Sequence, residues 1–411
     1  MENNKKPELL APAGTLEKLK IALTYGADAV YLGGTLFSLR KAASNFTELE
    51  MQKGIEFAHE RNKKIYLTLN IGLQNEDLKN FQACLKTLKT LNPDGIIVSD
   101  PGLFSLLKRE VDTPLHISTQ ASVTNTHSSE FWRKNGAKRI VLARELSISE
   151  IKKIKENVNI EIEVFAHGAM CIGYSGKCVI SNHIANRDAN RGGCIQNCRY
   201  PYNIYNPDKT ILKTSSFYMS SKDLMTIKLL PEFIKSNIDS LKIEGRMKSN
   251  LYVANTVSVY RDAINTIYEL MKKSDTQTIN FSLWEKELSK VSNRTFTTGS
   301  FETRAFKDSI RAANGNYHKE VEYIGTIKEV LPDKLIALQV KSTFSVGEEV
   351  EVMLNDSKNQ LLIIDKIFNV NNESITKAMP NTLVLLPWFK GAKERSILRR
   401  IIKNNRSKES E

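Results

Sequence analysis

From residue 8 to about 272 the chain alternates short β-branched runs with longer stretches of helical apolar spacing. No other feature limits its folds as much, because helices that cross over between strands force those strands to run parallel. Eight runs read as strands: ELLAPA at 8–13, AVYLGG at 29–34, KIYLTLN at 64–70, GIIVSD at 95–100, PLHISTQ at 114–120, RIVLARE at 139–145, EIEVFAHG at 161–168 and SLKIEGR at 240–246. Amphipathic segments such as GTLEKLKIALTYG and SISEIKKIKENV separate most of them. In the second segment Ser147 stands as N-cap with Glu150 three residues on, the arrangement of a capping box. Eight strands with crossover helices fit a closed, TIM-like (β/α)8 barrel. An open doubly wound sheet is the alternative, since periodicity does not encode closure.

The strand spacing is regular up to the seventh run, after which about 70 residues precede the eighth, far more than an ordinary βα connection needs. Four of the five cysteines lie in this insert, as C-x6-C-x15-C-x3-C within MCIGYSGKC and RGGCIQNC: Cys171, Cys178, Cys194 and Cys198. In a barrel, the loops after the strands build the active site, so the insert stands on the functional face. Four soft thiolates can complete a tetrahedral zinc site or hold a [4Fe–4S] cluster. The absence of paired C-x2-C knuckles favours the cluster over zinc. Gly173, Gly176, Gly192 and Gly193 allow close backbone approach to sulfur. Cys84 sits apart in the amphipathic run NEDLKNFQACLKTLKTLN, where it reads as a small buried hydrophobe.

The other strand ends on this face are polar: Ser118, Thr119 and Gln120 after the fifth, Arg144 and Glu145 after the sixth, Glu244 and Arg246 after the eighth. Gln120, Glu244 and Arg246 are therefore expected to face one pocket with the metal, and Arg144 is a weaker candidate of the same kind. His116 and His167 at strand ends are further candidates for acid–base work. Within the insert, Arg187, Arg191 and Arg199 can meet phosphate or a dicarboxylate, while Tyr200 and Tyr202 can stack an unpaired base.

The formal net charge of +13 suits a polyanionic partner. The start, MENNKKPELL, has no apolar run of signal length and no later stretch is apolar enough to span a bilayer, so a cytoplasmic protein without a membrane partner is expected. Residues 1–275 read as the barrel domain, with the insert at about 168–220. A helical and extended connector at 276–316 leads to a small β-barrel-like domain at 317–395, whose segments alternate in the β manner. Residues 396–411 read as a basic tail, and removal of everything beyond about 316 is expected to weaken RNA binding and leave the metal in place.

The stretch EVFAHGAMCIGYSGKCVISNHIANRDANRGGCIQNCRYPY resembles the signature region of the peptidase U32 family, also called collagenase-like proteases, and LAPAG, YLGG, STQASVTN and LKIEGRMKS resemble its other recurring blocks. The resemblance runs from residue 8 to about 310, and the β segment resembles the C-terminal domain of longer members. C-x15-C-x3-C with RDANRGGC and that added domain look most like the family's tRNA-hydroxylation branch. This implies conversion of wobble uridine to 5-hydroxyuridine, prephenate as cosubstrate, an iron–sulfur cluster on the four clustered cysteines, tRNA as partner and, in some members, a paralogous subunit. The alternative is a hydrolase acting on protein, as the family label suggests. The chain has neither H-E-x-x-H nor G-x-S-x-G, and its best-placed cysteines are committed to metal. A third possibility is a binding protein whose metal only staples the insert.

Overall fold

The structure is a computed structural model that describes residues 5–34, 45–273, 279–303, 309–310, 317–354 and 359–402. The KNNRSKESE end of the expected tail and most of the connector from 304 to 316 lie outside these residues. The chain runs β1 (Glu8–Pro12), α1 (Leu16–Thr24), β2 (Ala29–Leu32), α2 (Glu48–His59), β3 (Lys64–Leu69), α3 (Phe81–Leu91), β4 (Gly95–Val98), α4 (Pro101–Glu110), β5 (Leu115–Ile117), α5 (Thr126–Lys134), β6 (Arg139–Val141), α6 (Ile148–Asn157) and β7 (Glu161–Ala169). The insert follows, with α7 (Ile180–Ala185), β8 (Tyr202–Tyr205), β9 (Ile211–Ser216) and β10 (Asp223–Met225). Then come α8 (Leu230–Lys235), β11 (Ser240–Ile243), α9 (Asn250–Lys272), α10 (Ser282–Lys290) and β12 (Phe296–Thr297).

Strands β1 to β7 pair in parallel in sequence order, and β11 pairs in parallel with both β7 and β1. That double pairing closes the eight-stranded barrel and excludes the open sheet. Outward residues such as Leu9, Val30, Ile65, Ile96 and Val164 join the helices in the main core. Leu10, Ala29, Tyr31, Tyr66 and Ile97 form a separate cluster on the inward positions. The expected cap on α6 is present, with Glu150 N–H donating to Ser147 Oγ and Ser147 N–H donating to the Glu150 carboxylate.

The lower half of the barrel interior is ionic. Arg139 meets Glu8 at 2.6 Å, Glu161 at 2.9 Å and Glu163 at 3.1 Å, and Lys242 meets Glu163 at 3.0 Å. The Glu163 side chain is fully buried, so its charge persists only because two cations face it. Burial opposes ionisation of Glu163, yet Lys242 and Arg139 hold its carboxyl below the ordinary range.

Beyond the connector lies an all-β domain: an eight-stranded antiparallel sheet in the order 360–363, 349–353, 397–401, 321–330, 335–340, 383–387, 367–368 and 374–375. No pairing joins its two ends among the described residues. Residues 397–401 belong to its centre rather than to a tail. Arg399, from the supposed basic tail, is fully buried, with its guanidinium on Glu287 of α10 and Glu351 and its Nη1 donating to Asn255 of α9 at 2.7 Å. Tyr25 Oη, at the end of α1, donates to the Met353 carbonyl at 2.8 Å. Val321, Met353 and Ile397 join the barrel's own core. Cutting at 316 therefore strips apolar cover and an ion-pair partner from the barrel, so truncation is not the clean test of RNA grip that the sequence suggested.

Candidate active site

The cysteine-bearing loop is tied to the barrel mouth from several sides. Arg144 Nη1 donates to the Ala169 carbonyl at 2.9 Å, and its guanidinium lies 3.8 Å from the centre of the Phe165 ring. Ser175 N–H donates to Glu145 at 2.9 Å, Ser122 Oγ donates to the Ser175 carbonyl at 2.5 Å, and Ser221 Oγ donates to the Met170 carbonyl at 2.6 Å. Gly176 has φ +73°, and a Cβ there would lie 2.1 Å from the Gln120 carbonyl oxygen, so only glycine lets this loop settle on the end of β5. Farther along, Arg191 forms a two-pronged pair with Asp77 at 2.6 and 3.0 Å, and Asn190 Nδ2 donates to the Cys178 carbonyl at 3.1 Å.

Held in this way, the four thiols share one neighbourhood. Burial raises the pKa of Cys178, and negative charge on Cys171 and Cys194 raises it further. Burial likewise raises that of Cys198; Arg199 opposes the shift, while Cys171, Cys194 and Cys178 add to it. Four thiols that repel one another's ionised forms require a cation to be thiolates together. A Cβ on Gly173 would lie 3.3 Å from Cys178 Sγ, so this backbone already stands close against sulfur. Among the described residues no three Cys, His, Asp or Glu side chains form a group that could hold a metal ion as they stand. Cys84 is buried on α3 and its thiol is pushed up to about 12 by burial, as expected for a packed hydrophobe.

Beside the cysteine loop opens a cavity of about 270 Å³, lined among others by Gln196, Arg199, Asp223, Glu244, Lys248 and Arg294, with Tyr317 at its edge. Arg294 lies within a buried pair with Asp223, Nε at 3.0 Å and Nη2 at 2.6 Å, but its Nη1 is buried without an acceptor. Arg199 Nη1 donates to Gln196 at 2.5 Å while its Nε is likewise buried without one. Lys248 Nζ donates to the Ser292 carbonyl at 3.1 Å.

The candidates from the sequence divide accordingly. Glu244 and Arg199 line this cavity. Gln120 supports the loop at Gly176 through its backbone, and Arg246 is buried outside the cavity wall, its carbonyl accepting from Lys18 Nζ at 3.4 Å, so the three strand-end residues do not line a single cavity. Arg191 is engaged by Asp77, and Tyr202 Oη donates to the Asn197 carbonyl at 2.7 Å; both brace the insert. Arg187 and Tyr200 are exposed on its surface. Gln196, Asp223, Lys248, Arg294 and Tyr317 were not anticipated. Lys248 and Gln196 had a signal, their places in LKIEGRMKS and RGGCIQNC.

Neither histidine reaches the cavity. His116 lies inside the barrel, edge-on to Tyr66 with ring centres 4.8 Å apart, near Arg139. At His167 the β7–β11 register slips, with Phe165 opposite Lys242 but His167 opposite Ile243, and this bulge turns the ring toward Tyr252, Tyr260 and Phe296. Burial pushes both imidazoles down to about 3, so both remain neutral in the folded protein. The unfolded chain protonates them near pH 6.5. Their stabilisation is therefore present above pH 6.5 and is lost as pH falls toward 3, at about 2 kcal/mol each by pH 5. His167→Asn is expected to lower stability at pH 7 and to flatten its decline between pH 6.5 and 5 in denaturant titrations; an unchanged slope would show that His167 titrates normally.

The peptidase family U32 sequence model matches residues 14–311, and the model for the peptidase family U32 C-terminal domain matches residues 319–399. The chain is 43% identical over 388 residues to tRNA hydroxylation protein P1 of Bacillus subtilis, covering 91% of this chain and 90% of that one. It is 35% identical to tRNA hydroxylation protein P of Escherichia coli, covering 85% and 86%. It is also 32% identical to a protein of Porphyromonas gingivalis called collagenase, covering 72% and 73%.

Proposed function

We propose, on the premise that this chain belongs to peptidase family U32, that it is an iron–sulfur-dependent enzyme that hydroxylates the wobble uridine of tRNA to 5-hydroxyuridine. The observation that carries this reading is the 43% identity to the Bacillus subtilis tRNA hydroxylation protein across nine-tenths of both chains, which takes in the barrel, the cysteine insert and the β domain. Prephenate as cosubstrate and a paralogous subunit belong to the same reading.

A cluster on Cys171, Cys178, Cys194 and Cys198 would supply one-electron chemistry at the rim of the cavity. The chain's own residues do the rest. Gly173 brings backbone against the Cys178 sulfur, and Arg144, Glu145 and Ser175 fix the loop on the barrel mouth. Arg199, Lys248 and Arg294 give the cavity three cations against the carboxylates of Asp223 and Glu244, which suits a ligand rich in acceptors. Arg187 and Tyr200 are exposed on the insert, and in this reading they would meet phosphate and stack a base.

The collagenase relative keeps a peptidase reading in view, yet no histidine lines the cavity, and none of the four clustered thiols does either. The described residues include no helix long and apolar enough to cross a membrane. Nucleoside analysis of tRNA from cells with and without the gene tests the proposal: loss of 5-hydroxyuridine and nucleosides built from it is expected. An unchanged profile, together with peptide cleavage by the purified protein, would transfer the case to the hydrolase.

Binding through phosphates has its own signature. Each phosphate neutralised contributes about −0.7 to −0.9 to the slope of log K against log salt, so several contacts weaken tRNA binding at least about tenfold between roughly 50 and 200 mM salt. A flat salt response in a filter-binding titration would rule out the electrostatic footprint expected from the net charge of +13.

A further inference from the structure

The cavity beside the cysteine loop has a donor and acceptor pattern that the proposed reaction does not by itself explain. Arg294 is 2% exposed, and three of its contacts go to Asp223: the backbone N–H at 3.1 Å, Nε at 3.0 Å and Nη2 at 2.6 Å. Its remaining group, Nη1, is buried in the cavity wall with no acceptor. Leaving a buried guanidinium N–H unmet is costly, and a structure retains such a group where something else satisfies it. Arg199, also in the wall, has the same kind of unmet group: Nη1 is spent on Gln196, and Nε is buried without an acceptor. The wall also carries the Glu244 carboxylate, whose two oxygens can accept several hydrogen bonds at once.

Two unmet buried donors and a carboxylate acceptor in the wall of one small cavity are the groups that would answer one kind of heterocyclic edge. Uracil presents carbonyl O2, N3–H and carbonyl O4, which is acceptor, donor, acceptor. Cytosine presents O2, an unprotonated N3 and an amino group, and so would set its N3 lone pair against whatever carboxylate meets the N3–H of uracil. Tyr317 at the edge offers a ring face, with Lys248 Nζ 5.4 Å from its centre. The volume of about 270 Å³ is close to the lower end of small-ligand sites and admits one nucleoside.

We propose that this cavity is the uracil-reading site: a single uridine, turned out of the RNA, enters it with its carbonyls on Arg294 Nη1 and Arg199 Nε and its N3–H on Glu244. This inference rests on the tRNA-modifying reading and names what that reading leaves open, how the protein tells uridine from cytidine. Glu244 is then a base-binding residue, and the pair with Asp223 fixes the Arg294 guanidinium in the cavity wall. Gln196 and Arg199 lie on the loop that bears Cys194 and Cys198, so the base would rest against the loop that carries those two thiols.

The test is equilibrium binding of the full-length protein to three anticodon stem–loop RNAs that differ only at the wobble position, carrying uridine, cytidine or an abasic site. Wild type should bind the uridine RNA about tenfold or more tighter than the other two, the discrimination that a paired set of hydrogen bonds gives. Glu244→Gln should bring the uridine-to-cytidine ratio to within about twofold while leaving abasic affinity unchanged. Arg294→Lys, which keeps the charge beside Asp223 but removes the fork, should also reduce the uridine preference, with a melting curve confirming that it folds.

Equal binding of all three RNAs by wild type would overturn the cavity assignment and leave the tRNA reading standing. So would a Glu244→Gln protein that keeps its full uridine preference. Failure to bind any of the three RNAs would overturn both.

Discussion

Serine at any one of Cys171, Cys178, Cys194 or Cys198 is expected to remove most of the iron from anaerobically purified protein and to bleach the broad absorption near about 400 nm that a cluster of roughly four irons gives. Activity should fall at least a hundredfold, since a cluster held by three thiolates is exposed on one corner. The argument is electrostatic as much as geometric. Cys178 and Cys198 are buried enough to resist ionisation and are pushed further by their sulfur neighbours, so the four would be thiolates together only with a cation among them. Each thiolate removed takes away one of the bonds that hold the metal to the folded chain. Cys84→Ser, on α3 and away from the insert, should leave iron content unchanged. Equal iron loss at Cys84, or colourless wild-type protein with one stoichiometric zinc, would contradict the ligand set.

Arg139→Ala should be the most destabilising single change in the barrel. Arg139 bridges Glu8, Glu161 and Glu163 from an almost fully buried position, and removing it leaves Glu163 with only Lys242. Breaking one side of a buried ionic network costs about 3–5 kcal/mol, because the remaining charge stays desolvated. At roughly 2–4 °C per kcal/mol for a chain of this size, Tm falls by about 10 °C. Arg133→Ala, which removes an exposed pair with Glu130, should leave Tm unchanged. A thermal melt of the two variants checks this directly, and equal melting temperatures would mean that solvent, and not Glu163, balances Arg139.

The barrel was legible in the sequence because each of its strands carries its own signal: a β-branched run, a turn, then an amphipathic helix. Closure was not legible, since it depends on β11 finding both β1 and β7, a contact between the two ends of a stretch of more than two hundred residues. The thiolate set was visible because its four members fall within 28 residues. The cavity was only half visible. Glu244 and Arg199 sit in motifs, whereas Asp223 and Arg294 meet across 71 residues, and nothing local marks either as a partner of the other. His167 misled for a physical reason: strand alternation would aim it at the barrel mouth, but the register slip before it reverses its side. Arg399 misled for another, because a run of arginines reads as solvated surface until two glutamates from elsewhere bury one of them.

Complementation joins the metal to the reaction. A strain lacking the gene, supplied with wild type, Cys198→Ser or Cys84→Ser, is assayed for 5-hydroxyuridine and its derivatives in total tRNA by mass spectrometry, with each protein's level checked. Wild type and Cys84→Ser should restore the modified nucleoside in full, and Cys198→Ser should leave it at the level of the deletion. Full restoration by Cys198→Ser, or no restoration by wild type, would contradict the account.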